Sequence, residues 1–562
     1  MTDFGRRFLH WADRRPEADA FMFATRDGEI AERLTYAALA ERAMALATRL
    51  QALDARGERA ALLFSPGLDF VVALLGCMLS GAIAVPMALP RRDALRDSSD
   101  DIIANCTPRF VLTTRRDAHA LLGPRLGGRA KWQDCRLVEV DAETSGPATT
   151  FAPSPGDVAF LQYTSGSTSS PRGVVVRHTN LLANLAMMQE SFGSSTQSTF
   201  ACWVPLFHDM GLALNALHAI HAGGTCILMA PLSFMQRPLS WLKVIADHRV
   251  DIAGCPNFGF DHCAEHVEKR ECPPLDLSAW RVAINAAEPI RSTTLDRFAR
   301  AFAPSGFCRE AFFPCYGMAE ATVIISGKTD RASRYIERLR DGAPLVSSGS
   351  VLAGGDLAIV NPETREALPP GIEGEIWARG PHIASGYWAN PAATAEVFDA
   401  TIPGKGGGWL RTGDLGILDP DGELFVTGRL KDLIIVRGQN YYPQDIELSV
   451  QECHPAFHHQ MGAAFAAPVG RNESAVVVVQ EVARRQRHLA SEGDLEKAVR
   501  EVVANDLGLA VHRVVIVPPG TVPRTTSGKV QRSKARAMWL AGTLQVGREA
   551  GEPTTGSGSI ER

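Results

Sequence analysis

No two cysteines stand at Cys-x-x-Cys spacing, although the 562-residue chain carries 11 of them. Without that pairing neither a thiol redox motif nor a zinc knuckle is suggested. Scattered thiols at irregular spacing read as reduced and mostly buried, in a cytoplasmic protein. Dense basic runs are missing too, and the formal net charge is −4, so no nucleic-acid footprint is expected. The opening segment, MTDFGRRFLHWADRRPEADAF, has charges throughout and lacks the apolar core of a signal peptide. There is no internal repeat. One stretch, Phe70 to Pro90, lacks charge altogether and is long enough to cross a bilayer. Gly76, Ser80, Gly81, Pro86 and Pro90 interrupt it, so it reads as a buried helix ending near Ser80-Gly81, then a buried strand, AIAVPM; no membrane span is expected.

What is present points to a layered α/β protein of two or more domains. From Arg59 to Tyr316, β-branched runs (RAALLF, RFVLTT, DVAFLQYT, GTCILMA, DIAGC, WRVAIN) alternate with helical patterns such as HTNLLANLAMMQESF, PLSWLKVIADH and TLDRFARAFA. The texture changes after Thr427. GRLKDLIIVRG is followed by a helix start at Pro443-Gln444-Asp445, the strand SAVVVVQEV, an amphipathic helix from Asp494 to Leu509 and the strand VHRVVIVPP. The expected fold is α/β: a large N-terminal domain, residues 1–428, with layered sheets and helices in several subdomains, and a small α+β C-terminal domain, residues 429–545. The remainder, 546–562, has almost no apolar content and is expected to be a disordered tail.

The sharpest local signal is LQYTSGSTSSPRGV, residues 161–174. A buried strand runs into six hydroxyl residues, Thr164, Ser165, Ser167, Thr168, Ser169 and Ser170, with Gly166 among them and the cation Arg172 beyond. Backbone N–H groups, hydroxyls and a cation can wrap a polyphosphate. The loop is not a Walker A motif, because proline stands at 171 and no Gly-Lys pair follows.

This loop resembles the phosphate-binding motif of the acyl-adenylate-forming (ANL) superfamily, and further motifs of that superfamily follow in order. YGMAEAT (316–322) is similar to its adenine and magnesium motif and WLRTGDLG (409–416) to its ribose motif. GRLKDLIIVRGQNYYPQDIE (428–447) resembles the hinge segment, and PRTTSGKVQR (523–532) the catalytic-lysine motif. The resemblance implies ATP and Mg²⁺ as cofactors. It places Thr164, Ser165, Gly166, Ser167, Thr168 and Arg172 at the phosphates, and Ala286, Ala287, Glu288, Pro289, Tyr316, Gly317 and Met318 at the adenine. Asp414 and Arg429 fall to the ribose, Glu320 and Thr168 to the metal, and Lys431 to the hinge. Lys529 would be catalytic, since attack of a carboxylate on the α-phosphate develops negative charge that a positioned cation stabilises.

GAIAVPMALPRR, WVPLFHDMGL, SFMQRPLSWL, CPNFGFDHC and RGQNYYPQDIE, with arginine at 172, look like the fatty acyl-AMP ligase branch. That branch implies a fatty acid substrate in an apolar pocket drawing on Met210, Phe234 and Phe258, His208 as a catalytic gating residue, and transfer to an acyl carrier protein on another chain. Three features depart from the pattern. Ser169 and Ala286 stand where relatives usually have glycine, and the segment Ala321–Ser348 is short where the branch carries a longer insertion that limits domain movement and so refuses CoA. An acyl-CoA ligase is therefore the same-class alternative. A different class is raised by His262-Cys263-Ala264-Glu265-His266, an H-x-x-E-H string used by zinc hydrolases, with Cys255, Cys263 and Cys272 nearby. A third is a catalytically inactive relative that binds acyl ligands or scaffolds a carrier protein.

Overall fold

The computed structural model describes residues 3–90, 98–122, 135–142, 154, 156–164, 171–269, 274–328, 337–340, 343–436, 439–458, 460–469, 473–483, 486, 490–525 and 529–544. These fall into two compact units, one ending at Thr427 and the other beginning at Gly428.

Among the described residues the first unit is built on three large sheets and a two-stranded ribbon, 337–340 with 343–346. A six-stranded sheet has the order 136–139, 110–113, 59–63, 83–87, 158–164, 172–177, parallel except for the last pair. A nine-stranded sheet runs 350–351, 326–327, 312–316, 282–285, 252–255, 199–202, 225–229, 19–24, 30–35. Its centre is parallel and its edges antiparallel. The central strands bury both faces, which is why RAALL, TCILM and IAGC are near-continuous apolar runs rather than alternations. Residues 356–360, 374–379, 400–402 and 406–418, with the strand entering at Leu424, form an antiparallel sheet that the sequence reading did not anticipate.

The uncharged stretch after Asp69 becomes helix Asp69–Ser80, buried throughout from Phe70. Gly81 ends it with φ +79°, the left-handed conformation glycine takes most cheaply. Inside it, a Cβ on Gly76 would meet Leu46 at 2.6 Å, so glycine permits close packing on helix Tyr36–Gln51. Strand Ile83–Met87 follows. Among the described residues no helix is long and apolar enough to cross a membrane.

The second unit is a three-stranded sheet, 462–469, 473–481 and 511–517, with helices Pro443–Glu452, Glu492–Leu507 and Arg532–Leu540. The Val-rich middle strand serves two cores. Val476 and Val478 pack with Ile446, Val499 and Val503, while Val477 and Val479 pack with Val522 and Ala535. Two-residue periodicity with both faces covered turns four consecutive valines to opposite cores. Helix Glu492–Leu507 starts two residues before the Asp494 expected from the sequence. Ser491 and Asp494 form a reciprocal cap there, so the first turn lies ahead of the amphipathic run. The segment 546–562 lies outside the described residues.

Candidate active site

The strand Val158–Thr164 turns back on Arg172–Arg177 so that Thr164 faces Arg172 across the ladder. The expected phosphate residues Ser165, Gly166, Ser167 and Thr168 lie outside the described residues, as do Ser169 and Ser170. Tyr163 packs where a Cβ on Gly173 would sit, 2.8 Å from its ring, so the return strand needs glycine at that point. Buried Gln162 donates to the Phe207 carbonyl at 2.7 Å and ties this strand to the loop that carries His208.

Segment Pro381–Trp388 connects the phosphate strand to the Glu320 turn, and the sequence reading missed it. Ser385 N–H donates to the Val175 carbonyl, Trp388 N–H to Gly173, and Ala384 N–H to the Glu320 carbonyl. These contacts bring the Tyr387 hydroxyl to Glu320 Oε1 at 2.8 Å, and the Arg172 guanidinium lies 5.1 Å from the centre of the Tyr387 ring. Burial, and next the Glu320 carboxylate, push the Tyr387 phenol well up, so it remains a neutral donor. Glu320 is itself buried. Behind it, Thr322 adopts φ +67°, ψ −58°, and Val323 N–H donates to the Ala321 carbonyl in a tight three-residue turn. That conformation is rare and strained for a β-branched residue. A Cβ on Gly317 would fall 1.8 Å from the Val323 carbonyl oxygen, so the turn closes only over glycine.

Tyr316 and Asp414, 98 residues apart, are joined by a hydrogen bond of 2.8 Å from the Tyr316 hydroxyl to Asp414 Oδ2, and both are buried. Asp414 is presented by a bulge: Thr412, Gly413 and Asp414 stand opposite Ile376 alone. Bulges of this kind re-aim a side chain out of the ladder. A second residue absent from the sequence reading, Glu375, sets its shape. Glu375 is 1% exposed; one carboxylate oxygen accepts from Arg411 at 3.0 and 3.2 Å, the other from Gly413 N–H at 3.2 Å.

Ala286 is buried, and Ala287 has φ +73°, a conformation that costs an L-residue roughly 1–2 kcal/mol. Strain therefore falls one residue after the Ala286 that departs from the family pattern. Glu288, expected beside the adenine, accepts from Phe258 N–H at 2.6 Å, at the start of helix Asn257–Glu268. A carboxylate there caps free N–H groups and complements the helix dipole. Asn257 hydrogen-bonds Thr294, Asn285 and the Arg291 N–H, which ties the 285–291 segment to this helix.

That helix supplies Phe258 to an aromatic cluster. Phe234 lies parallel to Trp203 with centroids 3.8 Å apart, Phe258 meets Trp203 edge-on at 5.7 Å, and Trp241 closes the other side at 6.4 Å. Two of the expected acyl residues thus share one apolar wall, organised by Trp203. Met210, buried, begins a π-helix, Met210–Leu217. Asn215 sits inside it and donates to the Met210 carbonyl at 2.7 Å. At its start the Met210 N–H lies against both His208 Nδ1 and Asp209 Oδ1, the latter at 2.7 Å. π-Helices are rare and concentrate at functional sites.

In the second unit, Arg429 and Lys431 are exposed, and Lys431 lies in the turn Leu430–Asp432. Lys529 is also exposed, its backbone N–H bonded to Thr525 Oγ1 at 3.0 Å. The zinc reading finds no support. His262 Nε2 lies 3.1 Å from the Met235 carbonyl, Glu265 pairs with Lys269, and no cluster of three or more metal-binding side chains occurs among the described residues. Cys255 and Cys263 are buried free thiols; Cys272 lies outside the described residues.

With this geometry in hand, the family model described as AMP-binding enzyme matches residues 8–388, more than half the chain. The chain belongs to the AMP-binding enzyme family. A second family model, described as Disco-interacting protein 2-like, AMP domain, matches residues 431–549. The medium-chain-fatty-acid–[acyl-carrier-protein] ligase JamA of Moorena producens is 36% identical over 96% of this chain and 95% of its own. The long-chain-fatty-acid–AMP ligase FadD32 of Mycolicibacterium smegmatis is 34% identical, with 96% and 95% covered. Among solved structures, the fatty acyl-adenylate ligase of L. pneumophila in complex with acyl adenylate and pyrophosphate superposes with a TM-score of 0.72. It is 36% identical, with 96% of each chain covered. As a member of this family the chain is an ATP-dependent adenylating enzyme.

Proposed function

We propose that this enzyme activates a medium- or long-chain fatty acid to fatty acyl-AMP and passes the acyl group to the phosphopantetheine thiol of an acyl carrier protein on another chain. In the first step a carboxylate oxygen bonds to the α-phosphorus of ATP while the bond to the leaving pyrophosphate breaks. In the second the thiol attacks the acyl carbonyl and AMP leaves. The observation that carries the reading is the Tyr316–Asp414 hydrogen bond of 2.8 Å, which unites the adenine and ribose motifs in one buried place. Beside it, the Glu320 carboxylate and the Arg172 cation flank Tyr387.

Tyr316 and the backbone of Ala286–Ala287 would hold the adenine and Asp414 the ribose hydroxyls, with Arg429 as a second ribose contact. Lys529 would stabilise charge developing at the α-phosphate. Trp203, Phe234, Phe258 and Met210 would hold the alkyl chain and keep water from the adenylate. Glu320 fits Mg²⁺, being a hard oxygen donor whose direction is fixed by the Tyr387 hydroxyl, with Thr168 as its partner. Bound there, Mg²⁺ would neutralise phosphate charge. Residues 429–545 would form the moving domain, pivoting at Lys431 against 1–428, and the demand for ATP supports a cytoplasmic location.

The activities for which JamA and FadD32 are named favour acyl-AMP and carrier chemistry over CoA. Against this stands the short segment Ala321–Ser348, of which 329–336 and 341–342 lie outside the described residues. Mass spectrometry of a reaction holding ATP, Mg²⁺, mixed fatty acids and CoA tests the choice. Acyl-AMP without acyl-CoA supports the proposal. Acyl-CoA as the main product would make the enzyme an acyl-CoA ligase.

A further inference from the structure

Lys529 is carried by a hairpin whose legs are held by carboxylates from elsewhere in the second unit. Arg524 and Val530 form an antiparallel bridge, Thr525 N–H donates to the Lys529 carbonyl at 2.8 Å, and Gln531 N–H to the Pro523 carbonyl at 2.8 Å. The leg that enters this hairpin is gripped by Glu481, the last residue of the middle strand 473–481. Glu481 is 1% exposed. One of its carboxylate oxygens accepts from Val522 N–H at 2.9 Å and the other from the Arg524 guanidinium at 2.9 Å. The departing leg is gripped by Arg532, which donates to both oxygens of Glu447 at 2.7 and 2.6 Å and to Asp432 at 3.1 Å.

A buried carboxylate is a poor device for stability, because desolvation consumes most of what the ion pair returns. What it supplies is direction. Two hydrogen bonds from one rigid strand end fix two residues of the hairpin, one through its backbone and one through its side chain. Arg524 in turn lies across the bridge from Val530, the neighbour of Lys529.

We propose that Glu481 is a positioning residue for adenylation: acting through Val522 and Arg524, it sets where the hairpin presents the Lys529 ammonium. This rests on the role assigned to Lys529 above. Glu481→Gln keeps the shape of the side chain and the acceptor for Val522, but turns an amide N–H₂ toward the Arg524 guanidinium, so that arm of the grip is lost. Misplacing a catalytic group by about 1 Å can cost on the order of 10²-fold. A loss of about 10- to 100-fold in kcat for acyl-AMP formation is expected, with KM for ATP and fatty acid within about twofold of wild type.

The test is a double-mutant cycle with Lys529→Ala, read as pyrophosphate release with palmitate or decanoate, whichever the wild-type enzyme uses. In the Lys529→Ala background, Glu481→Gln should lower the residual rate by less than about twofold, since its effect runs through a side chain already gone. Should Glu481→Gln not yield folded protein, Arg524→Met removes the half-exposed arm of the same grip and leaves Glu481 its bond to Val522; a smaller fall in kcat alone is expected. An undiminished effect without Lys529, a rise in KM with kcat unchanged, or a folded variant with wild-type kcat would each overturn the proposal. If Lys529→Ala itself retains wild-type kcat, the assignment of Lys529 fails and this inference falls with it.

Discussion

Replacing Tyr387 by phenylalanine removes one oxygen from the proposed phosphate and metal site and little else. The ring would keep its edge contact with Phe398 at 5.1 Å and its place beneath the Arg172 guanidinium at 5.1 Å. What disappears is the 2.8 Å hydrogen bond to Glu320 Oε1, in a pair of which both members are buried, together with the hydroxyl's hydrogen bond to the Arg172 side chain. Hydrogen bonds to charged groups are worth about 1.5–3 kcal/mol, and about 1.4 kcal/mol corresponds to tenfold, so a loss of roughly 10- to 100-fold is available. The loss should appear where Glu320 is used. With pyrophosphate release measured against MgCl₂ at fixed ATP and saturating fatty acid, Tyr387→Phe should need more Mg²⁺ to reach half its maximal rate and should reach a lower maximum. KM for fatty acid should not move. An unchanged Mg²⁺ dependence, with rates within about twofold of wild type, would refute the reasoning that Tyr387 orients the carboxylate.

Lys431→Pro should spare acyl-AMP formation and block acyl transfer, assayed separately as pyrophosphate release and as loading of a carrier protein; equal loss of both steps would argue against a pivot there. Ala287→Gly should raise the thermal midpoint, because glycine adopts φ +73° without the penalty of roughly 1–2 kcal/mol that alanine carries; a lower midpoint would show that the methyl packs usefully. Acid should destabilise the fold in a defined window. Burial lowers His218 to about 3, His221 to about 4 and His382 to about 4 from an ordinary 6.5. The unfolded chain therefore binds more protons than the folded one below pH 6.5. Stability is full above that value, and each histidine removes up to about 1.4 kcal/mol per pH unit on the way down to its folded value. Urea unfolding between pH 7 and 5 measures this, and His382→Gln, which leaves no ring to protonate, should flatten the slope.

Elements with one dominant local signal were legible in the sequence. Helix His178–Phe192 was read to the residue, since apolar periodicity and the glycine after Phe192 agree. The charge-free stretch resolved into helix and strand because Gly81 marks the break. Residues that act across long sequence separations were not legible. Gln162, Glu375, Tyr387 and Glu481 work through partners 45, 36 to 38, 67, and 41 to 43 residues away, and nothing in their neighbours announces the pairing. The bulge at Thr412–Asp414 is a property of strand register, invisible until Ile376 is placed opposite it. The π-helix Met210–Leu217 escaped for a related reason. MGLALNAL reads as an ordinary buried helix, and only the folded chain shows Asn215 reaching back to the Met210 carbonyl. Glu288 has a partner that its motif does not announce: its carboxylate accepts from Phe258 N–H at the start of helix Asn257–Glu268, 30 residues away.

Fatty-acid-dependent exchange of labelled pyrophosphate into ATP tests the central claim most directly, because it reports reversible carboxylate adenylation without requiring any acyl acceptor. The account expects exchange that needs both the fatty acid and Mg²⁺, and that falls on the order of 10²–10³-fold in Lys529→Ala, the usual cost of one electrostatic contact to a transition state. Exchange that ignores the fatty acid, or that survives intact in Lys529→Ala, would contradict it.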